Sequence, residues 1–164
     1  MNAPIKFIIF GLSCAFISTA QAELTTSTFQ VLLTITKACS VTSGTPVTFT
    51  PVASTSGRVT AHADISVNCS KDTPYTIGLS PSNADLNGSG LLAGTLSTNN
   101  DKVPYQLAKD ESGTVWGSDV GTSSIIVSSK GTGEAQPFTV YAVVANANFT
   151  ADSYSDTVTV KLNY

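Results

Sequence analysis

Apolar residues recur at every second position through this chain, in short runs broken by Gly, Asn, Ser and Pro. No window sustains the 3.6-residue period of an amphipathic helix, so the pattern admits half-buried strands and little else. "HADISVNC" carries Ala63, Ile65, Val67 and Cys69, "YTIGLS" carries Tyr75, Ile77 and Leu79, and "TPVTFTPV" carries Val47 and Phe49. Later runs alternate in the same way: Val103, Tyr105 and Leu107, then Phe138, Val140, Ala142 and Val144, then Val158, Val160, Leu162 and Tyr164. The stretches Ser80–Asp101 and Lys130–Gln136 read as loops. Turn residues every ten or so positions, flanking such strands, predict an all-β chain with an immunoglobulin-like β-sandwich. No composition break marks a second domain, and no internal repeat is evident.

Two of these segments raise a question of partners. "TFQVLLTITK" puts Phe29, Val31, Leu33 and Ile35 on one face and Gln30, Thr34 and Thr36 on the other. "TVTVKLNY" ends the chain at Tyr164 as a strand with nothing after it to cover its edge. A strand needs a neighbour, because unpaired backbone N–H and C=O groups along an apolar edge invite another chain.

Residues 1–22 read as a secretory leader: Lys6, an apolar run from Phe7 to Ile17, and "AQA" before the expected cleavage after Ala22. The apolar run is too short to span a bilayer, so no membrane anchor is expected. Without Lys6 the remainder holds 7 basic and 11 acidic residues, a formal charge of −4. Charged residues are only 12% of the chain and the basic ones are scattered, which argues against nucleic acid as a partner. Cys14 leaves with the leader, and Cys39 and Cys69 remain for an oxidising compartment, where they are expected to pair. Two free buried thiols are the bland alternative. Closing that loop stabilises by roughly 3–4 kcal/mol in the chain-entropy model. Zinc is disfavoured, since His62 is the one histidine and no CxxC spacing exists.

Enzymatic constellations are missing from the sequence. There is no GxSxG elbow, HExxH pair or phosphate-binding Gly-rich loop. His62 beside Asp64 reads as surface placement rather than part of a triad. Asp110/Glu111 and Asp152/Asp156 lie among solvating residues, without the dry cleft that acid–base carboxyls need. Asp152 and Asp156 give at most a weak calcium pattern, because a calcium loop has denser oxygen ligands. The Asn-X-Ser/Thr matches at Asn68, Asn87 and Asn148 are expected by chance in so polar a chain. Trp116 is expected in the core rather than as a sugar-stacking platform. The expectation is no catalysis and no cofactor.

"FQVLLTITKACSV", "ISVNCSKDTPYTIGL", "VPYQLAKD", "VWG", "FTVYAVV" and "YSDTVTVKLNY", in that order, resemble the spore coat protein U family. That domain also forms subunits of archaic chaperone-usher pili of the Csu type. The resemblance covers residues 23–164 and implies an incomplete sandwich that lacks its last strand and is completed by donor-strand complementation. It implies residues 23–37 as an N-terminal donor extension carrying Phe29, Val31, Leu33 and Ile35. Residues 38–164 are then the pilin body, with an acceptor groove at Val158, Val160, Leu162 and Tyr164. The implied partners are a periplasmic chaperone, an outer-membrane usher and neighbouring pilins. The implied destination is the cell surface, through the periplasm, in a fibre supporting adhesion and biofilm. Room for one domain favours a shaft or minor subunit over a tip adhesin. The alternative is a self-contained secreted envelope or spore-coat protein, with Phe29–Thr36 as the first strand of a complete sandwich.

Overall fold

The computed structural model describes residues 21–118 and 125–164. The leader expected at residues 1–22 lies outside them except for Gln21 and Ala22. The chain divides into two units, Met1–Thr34 and Ile35–Tyr164. In the first, residues 21–34 form neither strand nor helix, and Phe29, Val31 and Leu33 are exposed.

The second unit is all-β, with no helix among the described residues. Its strands are β1 (Cys39–Ser43), β2 (Val59–Cys69), β3 (Pro74–Pro81), β4 (Ser89–Gly94), β5 (Lys102–Ala108), β6 (Val127–Lys130), β7 (Ala135–Val144), β8 (Tyr154–Ser155) and β9 (Val158–Asn163). Two antiparallel sheets result, a six-stranded one ordered β1-β2-β7-β5-β4-β8 and a three-stranded one ordered β6-β3-β9. The period of two does what it predicts. In β2, Ile65, Val67 and Cys69 are buried while His62, Asp64 and Asn68 face water. That strand pairs with β7 from Val59↔Val144 to Asn68↔Ala135, which brings Val140, Ala142 and Val144 onto the same core face.

Between the sheets, Ile77 and Leu79 of β3 share one buried cluster with Leu107 of β5 and Trp116. Trp116 is 2% exposed and its Nε1–H donates to the Ile77 carbonyl at 3.0 Å, so the one polar atom of a large core side chain is satisfied. The adjoining backbone links the sheets: Trp116 N–H donates to Leu107 O in one, and Gly117 O accepts from Leu79 N–H in the other, each at 2.9 Å.

Cys39 and Cys69 are directly opposite in the β1–β2 register and disulfide-bonded, with Cα atoms 4.1 Å apart. The bond holds a five-residue edge strand to the sheet. Cys39→Ser should therefore lower unfolding free energy by about 2–5 kcal/mol, read by denaturant titration of the oxidised protein. An unchanged midpoint would contradict a structural role for the bond.

Three local readings need correction. "TPVTFTPV" forms no strand, although Val47 and Phe49 still pack half-buried against the core. Pro46 and Pro51 remove the N–H groups a ladder would use, which leaves burial without pairing. Phe29–Thr36 forms no strand within this chain, against the alternative in which it is the first strand of its own complete sandwich. Finally, the loop expected over Ser80–Asp101 contains β4. A Cβ at Gly90 would lie 2.2 Å from Tyr105 Cζ, so the glycine that looks like a loop signal is what lets β4 lie against that ring.

Candidate functional site: an apolar groove beside the last strand

β9 pairs with β3 alone, from Thr76↔Asn163 to Pro81↔Val158, and β1 pairs with β2 alone. The other edge of each carries no strand among the described residues, and the two lie near one another. Between these edges opens a groove of about 350 Å³. Its floor is core: Ile65, Leu107, Val140 and Ala142 from the larger sheet, and Leu79 and Val160 from the smaller. One rim is Ser43, the last residue of β1, with the chain that follows it through Val47 to Phe49. The other is Val158, the first residue of β9, with Asp156 and Thr157 leading into it.

Of the residues expected in the acceptor groove, Val158 and Val160 line it. Leu162 is half-buried against the core farther along the strand, and Tyr164, beyond the strand end, is 61% exposed. The residues expected to donate are Phe29 at 87%, Val31 at 85%, Leu33 at 84% and Ile35 at 81% exposure. An apolar strand-like segment and an apolar groove with free strand edges thus occur in the same chain.

The polar end of the groove was not legible in the sequence. Tyr105 O–H donates to Asp156 Oδ2 at 2.7 Å, and Thr157 N–H donates to Asp156 Oδ1 at 2.7 Å. Burial first, then the Asp156 carboxylate, push the Tyr105 phenol well above the ordinary tyrosine range. The phenol therefore stays a hydrogen-bond donor at any physiological pH. Asp152, read earlier beside Asp156 as a weak calcium pattern, is turned elsewhere. Its carboxylate accepts from Thr95 Oγ1, Leu96 N–H, Asn99 Nδ2 and Ser153 N–H, clamping the turn before β8 to the loop after β4. Asn99 Nδ2 also donates to Tyr154 O–H, and Asp101 accepts two bonds from Thr150 in the same clamp.

Burial, the largest single influence on Asp152, works upward, but the four donors outweigh it and hold the carboxyl at about 2. A folded value below the unfolded one, ~3.9, means the clamp's stabilisation is complete above pH ~4 and is lost as pH falls toward about 2. Asp152→Asn should lower the melting temperature at pH 7, and the gap to the parent protein should narrow steadily below pH ~4. A gap independent of pH would contradict the clamp's dependence on ionised Asp152.

His62 is exposed on β2 with its ring centroid 5.4 Å from that of Tyr141. Asp64 accepts from Thr139 Oγ1 on the same outer face, rather than orienting the imidazole. Asp110 is fixed by its own turn, accepting from Ser112, Gly113 and Thr114.

No curated protein matches the chain. Among solved structures it is similar to a chain of the CsuC–CsuE chaperone–tip adhesion subunit pre-assembly complex from archaic chaperone-usher Csu pili of Acinetobacter baumannii. The identity there is 22% and the TM-score 0.56, over 80% of this chain and 41% of that one. The chain therefore spans about two-fifths of the length of that relative, and the likeness is one of fold. A chain of a chaperone–tip adhesin complex of CFA/I fimbriae biogenesis is similar at 10% identity and TM-score 0.46, over 76% of this chain and 41% of that one. The family model described as the Spore Coat Protein U domain, a structural and non-enzymatic family, matches residues 25–161, and the chain belongs to that family.

Proposed function

We propose that this protein is a subunit of a chaperone-usher pilus, in which residues 29–35 of one copy fill the groove beside β9 of the next. The observation that carries this reading is the coexistence of the two halves: a floor of Ile65, Leu79, Leu107 and Val140 open at an unpaired strand edge, and a segment with 81–87% exposed apolar residues at alternate positions. Adding a strand gives each its missing partner, with main-chain hydrogen bonds for affinity and alternate side chains for the floor. Family membership and the fold shared with a chaperone–subunit complex support it.

On this reading the N-terminal leader directs export, a periplasmic chaperone holds the groove until an outer-membrane usher exchanges it for the next subunit's extension, and the product is a surface fibre for adhesion and biofilm growth. The test is purification from the periplasm with and without the co-expressed chaperone. A soluble 1:1 complex, with aggregated or degraded protein in its absence, is the expected result. A stable lone monomer that never polymerises would favour a self-contained coat protein instead.

A further inference from the structure

Asp156 is a half-buried carboxylate at one end of the groove that no cation pairs with among the described residues. Its two protein hydrogen bonds, from Tyr105 and Thr157, leave about half of its acceptor capacity unused. Lys37 is exposed and is the only charged residue between Leu24 and Cys39. We propose that Lys37 of one copy pairs with Asp156 of the next, fixing both the direction and the register in which the segment enters the groove. This rests on the donor-strand reading above and adds to it a specific pair.

Direction follows from where the chain is pinned. Ala38 N–H donates to Ser70 Oγ at 3.0 Å, and Ala38 O accepts from Ser70 N–H at 2.9 Å, immediately after Cys69. Ser70 precedes β3, whose early residue Thr76 pairs with Asn163. The segment therefore joins its own body at the Asn163 end of β9, whereas Asp156 stands at the other end, roughly 20 Å away at ~3.3 Å per strand residue. A segment folded back into its own groove would leave Lys37 at the Asn163 end, out of reach of Asp156. Only another copy's segment, running antiparallel to β9, brings the two charges together.

Register follows from counting. With Lys37 opposite Asp156 in an antiparallel pair, Ile35, Leu33, Val31 and Phe29 fall opposite Val158, Val160, Leu162 and Tyr164. Residues directly opposite in such a pair share a face, so all four apolar positions of the segment align with the inward positions of β9. A slip of two residues in one direction sets the ammonium against Val158 and the apolar floor, which costs its hydration. A slip the other way sets Ile35 against the carboxylate. The charge pair and the apolar match select the same register.

The test uses the full chain in cells that assemble it. Lys37→Glu should cut heat-resistant polymer by roughly threefold to tenfold, as expected of a close charge pair turned repulsive, and Lys37→Glu with Asp156→Lys should restore most of it. In parallel, Lys37→Cys with Asp156→Cys should give a disulfide ladder of multimers on a non-reducing gel, whereas Lys37→Cys with Asn163→Cys should not. A ladder from the Asn163 pair alone would overturn the proposed direction while leaving strand donation intact. Polymer without a ladder from either pair would overturn both. Undiminished polymer in Lys37→Glu would overturn the charge pair alone.

Discussion

Val31→Asp combined with Leu33→Asp should abolish polymer while leaving the sandwich folded and able to bind chaperone. Both side chains are exposed in the isolated chain, at 85% and 84%, so charging them costs the body nothing it has buried. In a polymer the same positions would lie over the groove floor, where an unpaired charge costs several kcal/mol in effective terms. Burying Phe29, Val31, Leu33 and Ile35 is worth ~1.5–3 kcal/mol each, or ~6–12 kcal/mol together, an upper estimate because it takes a fully exposed side chain as its reference. Two buried aspartates offset most of that. Heat-resistant multimers should fall below detection while the chaperone complex persists. Loss of both together would mean that the segment is an integral strand of its own domain.

Val160→Asp is expected to fail in the complementary way. Val160 lines the groove, opposite Leu79 in the β9–β3 register and half-buried against the core. A carboxylate there sits where any incoming strand must lie, whether from a chaperone or from another subunit. Chaperone complex and polymer should disappear together, at a cost of several kcal/mol. To separate lost binding from lost folding, Val160→Thr keeps the shape with a smaller polar penalty and should retain a weakened chaperone complex. Fibre yield unchanged by Val160→Asp would move the docking site away from β9.

How much of this the sequence reveals depends on how local the cause is. Alternation in β2, β3, β5, β7 and β9 is a property of neighbouring residues, and those strands appear where Ile65, Ile77, Leu107, Val140 and Val160 point. The pairing of Cys39 with Cys69 is legible for a chemical reason, since an exported chain with two thiols has few other uses for them. β4 is hidden because Gly90 serves a ring contributed by Tyr105, a partner no local pattern announces. The prolines flanking Val47 allow burial but not pairing, a distinction hydrophobic period alone does not make. Tyr105 and Asp156 are 51 residues apart, and Asn99 and Asp152 are 53 apart. These polar contacts exist only once the sheets have formed, so Asp156 reads in sequence as an ordinary turn acid.

Amide hydrogen exchange across polymerisation tests strand donation most directly. In the chaperone-bound subunit, before polymerisation, the amides of residues 29–35 should exchange at nearly unstructured rates, far faster than the amides of β2 and β7, which lie within the larger sheet. In assembled fibres the amides of Phe29–Ile35 should become protected by several orders of magnitude, while those of Val158–Asn163 stay protected by the donated strand. Fibres in which the amides of Phe29–Ile35 still exchange freely, whatever happens at β9, would contradict the account.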